Sequence, residues 1–174
     1  QSKLKLREID LGLISIPIDD KDLNQQSIFK EEFLVYDTRQ KIRQSKRYKI
    51  NDIDISNLWL LEESHCITSQ IGKICQLKKD WKSDGNVKLM SGSILSLLEL
   101  VKLKKGITLL PKLATLNNIV ENKWIYNLES PVPVREVGIV TQKSFLKKKL
   151  YDIFIEEIRE AVVPVLNQNE VENI

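Results

Sequence analysis

Residues 58–75 read Leu-Trp-Leu-Leu-Glu-Glu-Ser-His-Cys-Ile-Thr-Ser-Gln-Ile-Gly-Lys-Ile-Cys, an apolar strand-like run followed directly by a helix-like segment. The only two cysteines of the chain, Cys66 and Cys75, lie nine positions apart in this stretch. In a helix that separation places their Cα atoms about 13 Å apart and on opposite faces. A disulfide requires Cα atoms within about 7 Å of each other. If the segment is helical when reduced, a bond between the two sulfurs must unwind it.

The helical pattern predicts different surroundings for the two thiols. The three isoleucines of the segment share one face with Cys75, which indicates a buried and inert thiol. Cys66 falls on another side, near the N-terminal end of the helix, where unpaired N–H groups and the helix dipole stabilise a thiolate. His65 beside it can add positive charge or a hydrogen bond. Because the thiolate is the nucleophile, Cys66 is the candidate reactive residue, and its sulfenic acid would condense with a second thiol.

The residues alone leave other interpretations open. Two ordinary free cysteines, one in the core and one incidental, fit the pattern equally well. A zinc site fits poorly, because the single histidine and the cysteine spacing match no common ligand pattern. A hydrolase triad would have only His65 as its base and lacks a Gly-x-Ser-x-Gly elbow. No cofactor or metal ion is therefore expected.

Length and composition narrow the class of protein. The 174 residues are 42% apolar, so the chain can bury a core without disulfides. A net charge of +3, from 27 basic and 24 acidic residues, argues against strong nucleic-acid binding by this chain alone. No apolar run reaches the roughly 18 residues of a membrane span, and residues 1–8 are not of signal-peptide type. A reducing, cytoplasmic location is expected, in which a transient disulfide is regulatory or catalytic.

Strand-like and helix-like segments alternate on both sides of this stretch. Strands are expected at residues 9–16, 27–36, 58–61, 87–90, 106–111, 124–126 and 135–140. This alternation predicts an α/β architecture with mainly parallel sheets. The basic run over residues 39–47 is interpreted as a solvated loop, because no glycine-rich phosphate site accompanies it.

Two further helices are expected. Ser93 is the predicted N-cap of the first, and the off-stripe Leu95 and Leu100 on it hint at a subunit contact. The final helix is expected to begin near Ser144, with its apolar side facing inward through Leu146, Leu150, Ile153, Phe154 and Ile158.

Several of these segments together resemble a known family. The run from Trp59 to Cys66, the second cysteine nine residues later, and Gly-Ile-Thr-Leu-Leu-Pro at residues 106–111 resemble the regulatory domains of OxyR, the peroxide-sensing family of LysR-type transcription regulators. The glycine-containing stretch is typical of all LysR-type regulators, whereas the His-Cys pair with the later cysteine is the specific part. The resemblance covers essentially the whole chain.

The resemblance implies a fold and a division of the chain. The expected fold is α/β and periplasmic-binding-protein-like, with two α/β subdomains. Regulatory subdomain I would comprise residues 1–27 and 136–174, and subdomain II, with the cysteines, residues 28–135. The chain has no initial methionine, and we expect it to lack the N-terminal helix-turn-helix and the first strand-helix-strand unit of the family.

The resemblance also implies roles for five residues. Cys66 matches the family's peroxidatic cysteine, Cys75 its resolving cysteine, and His65 the histidine before the reactive thiol. Arg135 matches an arginine near that thiol, where a guanidinium favours thiolate. Ser69 stands where an aspartate often occurs. Its hydroxyl can hydrogen-bond peroxide but cannot accept a proton as a carboxylate does.

The implied function is redox sensing and not enzymatic catalysis. Hydrogen peroxide is the expected signal, and a Cys66–Cys75 disulfide would change a homodimer or homotetramer. Operator DNA would be bound through a helix-turn-helix outside this chain, and RNA polymerase is a further expected partner. Two alternatives remain, a LysR-type domain that senses a small molecule and a thiol peroxidase with many turnovers.

Overall fold

A computed structural model describes residues 1–39, 46–62, 66–75, 87–90, 92–116 and 119–168. The helices are α1 (Ser2–Lys5), α2 (Cys66–Ile74), α3 (Ile94–Lys104) and α4 (Lys148–Gln168). The strands are β1 (Leu11–Ile16), β2 (Leu23–Asp37), β3 (Arg47–Tyr48), β4 (Trp59–Leu61), β5 (Lys88–Met90), β6 (Ile107–Pro111), β7 (Ile125–Leu128) and β8 (Val134–Gln142). These elements confirm the expected α/β class.

The chain forms two compact units. One comprises Gln1–Glu31 with Val134–Ile174, and the other comprises Glu32–Pro133. The chain therefore leaves the first unit within β2 and returns to it at the start of β8. The assignment of regulatory subdomains I and II to particular residues stays a prediction.

The first unit is built on β1 and β8, which pair antiparallel from Leu11 opposite Thr141 to Ile16 opposite Glu136. The next strand in sheet order is β2. Gly138 is required at this position, because a Cβ there would lie 2.5 Å from the carbonyl oxygen of Gln26.

The second unit carries the larger core. The C-terminal part of β2 pairs with β6 and β7, while β4 pairs with β5. Successive side chains of β4 point to opposite faces of the strand, so that Leu60 joins one cluster of buried apolar residues and Leu61 joins another. The buried members of the first cluster, on the side of α2, are Phe33, Val35, Tyr48, Ile53, Leu58, Leu60, Ile71, Val87, Ile107, Leu109, Tyr126 and Leu128.

The sheets are mixed, and the expectation of mainly parallel strands is wrong. β1 runs antiparallel to β8, and β2 runs antiparallel to β6 and β7. Parallel pairing occurs between β3 and β7 and between β4 and β5. The apolar runs show that both faces of a strand are covered, but burial on both faces does not fix the direction of the neighbouring strand.

The last helix differs from its prediction in its start and in its buried side. It begins at Lys148, and Ile155 and Leu166 are its buried apolar residues. Ile158 is half-buried. The other side chains expected to face inward are instead exposed, at 91% for Leu146, 54% for Leu150, 52% for Ile153 and 38% for Phe154. Periodicity identifies an apolar side of a helix, but the neighbouring elements decide whether that side is covered.

Among the described helices, none has the length and apolar content needed to cross a membrane.

Candidate functional site

The segment between the two cysteines is a helix, as its sequence predicted. α2 runs from Cys66 to Ile74, and the N–H of Cys75 continues the ladder by donating to the carbonyl of Ile71 at 2.9 Å. Nine helical steps place the two Cα atoms about 13 Å apart, roughly twice the separation that a disulfide tolerates. The backbone must therefore change before these two residues can be joined.

The buried face of α2 is the one expected from its isoleucines. Ile71 is 1% exposed and belongs to the core of the second unit, while Ile67, Ile74 and Cys75 pack against that core. Cys75 is a free thiol. Burial raises its pKa from 9.0 to about 11, so the thiol is protonated at neutral pH. Cys75 is therefore a poor nucleophile in this structure.

Thr68 is a polar residue of α2 that the sequence reasoning missed. Its side chain is 1% exposed, and its hydroxyl donates to the carbonyl of Leu61 at 2.7 Å. The bond joins the first turn of α2 to the end of β4. Its sequence signal is weak, because a threonine on an otherwise apolar side of a helix is common in cores.

The other predicted site residues are distributed as follows. Cys66 is the first residue of α2, and its side chain lies outside the described part of the structure, as does the whole of His65. Ser69 is exposed on α2. These residues and Cys75 belong to the second unit, whereas Arg135 belongs to the first.

Arg135 forms a buried ion pair with Glu31. Its Nε donates to Oε1 of Glu31 at 2.6 Å, and its Nη2 lies 2.5 Å from the same oxygen. The Glu31 side chain is 0% exposed and that of Arg135 is 17% exposed. A buried carboxylate requires such a partner, because desolvation of an unpaired charge is costly. Glu31 was missed by sequence reasoning, although its position as a charged interruption of an apolar strand was a usable signal.

A second polar cluster lies beside the core of the second unit. Arg39 donates from Nε and Nη2 to the two carboxylate oxygens of Asp37, each at 2.9 Å, and from Nη1 to Asp54 at 2.7 Å. The hydroxyl of Tyr48 also donates to Asp37. The first residue of the predicted solvated loop is thus a fixed ion-pair partner, and the interpretation of Arg39 as solvated is wrong. Residues 40–45 of that loop lie outside the described residues.

The electrostatics of this cluster favour its charged form. Burial tends to raise the pKa of Asp37, but hydrogen bonds from Arg39 and Tyr48 outweigh it and hold that pKa below its usual value. Hydrogen bonds from Ser56 and Asn57 lower the pKa of Asp54 to about 2. Tyr48 also belongs to the core against which α2 packs. Its hydrogen bond to Asp37 therefore holds one residue of that core in place.

No group of three or more His, Cys, Asp or Glu side chains suited to a metal ion occurs in the part of the chain that the structure describes.

The two-unit α/β fold places the chain in the periplasmic-binding-protein-like class of regulatory domains. More specifically, the chain belongs to the LysR substrate binding domain family, whose model matches residues 1–163. Among curated proteins it is similar to the HTH-type transcriptional regulator EstR of Acinetobacter baylyi, with 24% identity over 160 residues. The match covers 90% of this chain and 52% of EstR, so the chain spans about half the length of that relative.

Solved structures of OxyR proteins share the fold. OxyR from Porphyromonas gingivalis is 27% identical with a TM-score of 0.77, over 95% of this chain and 75% of that chain. The reduced OxyR regulatory domain from Pseudomonas aeruginosa is 21% identical with a TM-score of 0.77, over 91% of this chain and 76% of that chain. At the lower identity the likeness shows the fold alone.

Proposed function

We propose that this chain is the hydrogen-peroxide and thiol-redox sensing regulatory domain of a LysR-type transcription regulator. The observation that carries the proposal is the helix Cys66–Ile74, which Cys75 directly follows as a free thiol packed against the core. A disulfide between these residues cannot form on this helix. Oxidation would therefore change the conformation of the domain as well as its covalent structure.

The proposed chemistry has two steps. In the first, the Cys66 thiolate attacks one oxygen of hydrogen peroxide, the O–O bond breaks, and the second oxygen leaves as hydroxide, which a proton converts to water. The sulfur loses two electrons and becomes a sulfenic acid. In the second, the Cys75 sulfur attacks the sulfenic sulfur, the disulfide forms, and the sulfenic oxygen leaves as water with the thiol proton. A cellular dithiol reverses the change by exchange.

The proposal includes supporting roles at three positions. His65 and Arg135 would favour the thiolate of Cys66 through positive charge, and the hydroxyl of Ser69 would hydrogen-bond peroxide. In this structure the guanidinium of Arg135 is paired with the buried carboxylate of Glu31, which fixes its orientation and offsets part of its positive charge.

The proposed output is a change in assembly. Refolding of α2 would alter a homodimer or homotetramer, and thereby the spacing of helix-turn-helix domains on operator DNA and their contact with RNA polymerase. Such a regulator would work in the cytoplasm, where its thiols start reduced. One oxidation event per signal is sufficient, so the domain would not act as an enzyme.

The test is disulfide mapping after addition of one equivalent of hydrogen peroxide to the reduced protein. We expect a Cys66–Cys75 disulfide by mass spectrometry, and none in Cys66→Ser. A Cys66 that remains a thiol in the treated parent would refute the proposal. Continuous peroxide consumption in the presence of a dithiol, over many equivalents per chain, would indicate a peroxidase instead.

A second candidate is a domain that senses a small molecule, favoured by the match to the LysR substrate binding domain family and to EstR. It predicts that a metabolite raises the melting temperature of the reduced protein by binding the folded state. The same shift should persist in Cys66→Ser. A redox sensor gives no such shift, so screening under reducing conditions separates the two candidates.

A further inference from the structure

The hydrogen bond from Thr68 to Leu61 occupies an unusual place relative to the reactive cysteine. It connects residues on either side of Cys66, seven positions apart, and both of its ends are buried. Thr68 is the third residue of α2, so the bond attaches the first turn of the helix to β4. Unwinding of α2 from its N-terminal end as far as Thr68 would break this bond.

The helix depends on such tertiary contacts. α2 has nine residues, and isolated helices shorter than about 12 residues are marginal in water. Gly72 in its interior lowers its intrinsic stability further. In the described part of the chain, the contacts that hold it include the apolar packing of its buried face, centred on Ile71, and the Thr68–Leu61 bond.

We infer that the Thr68–Leu61 hydrogen bond sets the rate of the second oxidation step, in which the sulfenic acid on Cys66 is converted to the Cys66–Cys75 disulfide. The inference rests on the proposed function and deepens it. Thr68 is a positioning residue, because it acts by holding α2 in its helical form and not by contact with the oxidant. The first step needs no unwinding of the helix, whereas the second step requires it.

A slow second step means that oxidation must last for a minimum time before the disulfide forms. While α2 stays helical, the sulfenic acid can be returned to the thiol by a cellular thiol reductant, with two electrons from two thiols and release of water. Only peroxide that persists long enough for α2 to open would lead to the disulfide. The Thr68–Leu61 bond would therefore let sustained oxidation, but not brief oxidation, lead to the disulfide.

Three substitutions in the full-length protein test the inference. Thr68→Val removes the hydroxyl with little change of shape, Thr68→Ser keeps it, and Thr108→Val is the matched control. Thr108 is fully buried, and its hydroxyl has no hydrogen-bond partner within the described chain. Sulfenic acid formation is followed with a carbon-nucleophile probe, and disulfide formation by rapid quenching and mass spectrometry.

We expect Thr68→Val to form the disulfide about tenfold faster than the parent, the ratio that loss of one buried hydrogen bond produces. Sulfenic acid formation should proceed at the parent rate in every variant. Thr68→Ser and Thr108→Val should form the disulfide at the parent rate. The inference is overturned if Thr68→Val closes no faster than the parent, or if Thr108→Val accelerates closure equally.

Amide hydrogen exchange separates this inference from the proposed function. In a Cys66→Ser background no disulfide can form, yet Thr68→Val should still accelerate exchange of the α2 amides about tenfold. Unchanged exchange would overturn the inference even where peroxide oxidises the parent. Accelerated exchange together with a parent that never forms the disulfide would refute the proposed function, and with it the role of Thr68 in oxidation.

Discussion

Helices α2 and α3 lie in the same unit, but they differ in length and in the stabilising contacts of their described residues. α3 has capping at both ends, since the hydroxyl of Ser93 accepts from the N–H of Ser96 at 3.2 Å and Lys105 adopts the left-handed conformation with φ of 51°. It also buries Leu97, Leu98 and Val101. Among the described residues of α2, Ile71 is fully buried in the core and Thr68 forms a hydrogen bond to the neighbouring strand β4.

The difference teaches where a conformational switch can be placed. A helix stabilised by its own caps retains much of its structure when a neighbour moves. A helix held by tertiary contacts loses its structure when those contacts are exchanged for others. Cys66 begins α2 and Cys75 directly follows it, and a helix of only nine residues depends on tertiary contacts, which agrees with the proposed switch.

The largest expected effect comes from Ile71→Ala, which breaks the main apolar contact of α2. Truncation of a fully buried isoleucine should lower the free energy of unfolding by about 2–4 kcal/mol. Hydrogen exchange should rise more in α2 than in α3. The matched control is Leu103→Ala, since Leu103 is 75% exposed on α3 and should have little effect. Equal acceleration in both helices would contradict the difference described above.

The next effect in size is a pH dependence that belongs to Cys75. The folded pKa of Cys75, about 11, lies above the ordinary 9.0. The contribution of its protonated thiol to the free energy of unfolding is therefore complete below pH 9 and is lost as the pH rises towards 11. The loss should approach roughly 2 kcal/mol at the upper end, since each pKa unit corresponds to about 1.4 kcal/mol.

The measurement compares denaturant unfolding of the reduced parent and Cys75→Ala between pH 8 and pH 11. Tyrosines and lysines titrate in both proteins, so only the difference between the two curves reports on Cys75. A difference that stays constant across this range would show that the folded thiol titrates normally.

The smallest expected effect is at the cap of α3. Ser93→Ala removes the acceptor for the N–H of Ser96 and should lower the free energy of unfolding by about 1 kcal/mol. Ser93→Asp restores an acceptor and should recover most of this loss. Exchange of the α2 amides should not change, and a change there would mean that the two helices do not open independently.

The sequence predicted those features that depend on neighbouring residues. The strand at residues 59–61, the helix that follows it and the cap at Ser93 were all recognisable from short patterns. The side of α2 that is buried was also predictable, because its isoleucines and Cys75 share one face. The same argument failed for α4, whose exposed apolar residues show that a pattern cannot supply the covering element.

Sequence by itself determined that the two cysteines lie at a spacing a helix cannot join, since this follows from helix geometry alone. Tertiary structure decided which contacts hold that helix. Thr68 meets Leu61 across a change from strand to helix, and Glu31 meets Arg135 although 104 positions separate them. Such pairs form only when distant backbone segments are brought together, and burial then makes each polar partner necessary to the other.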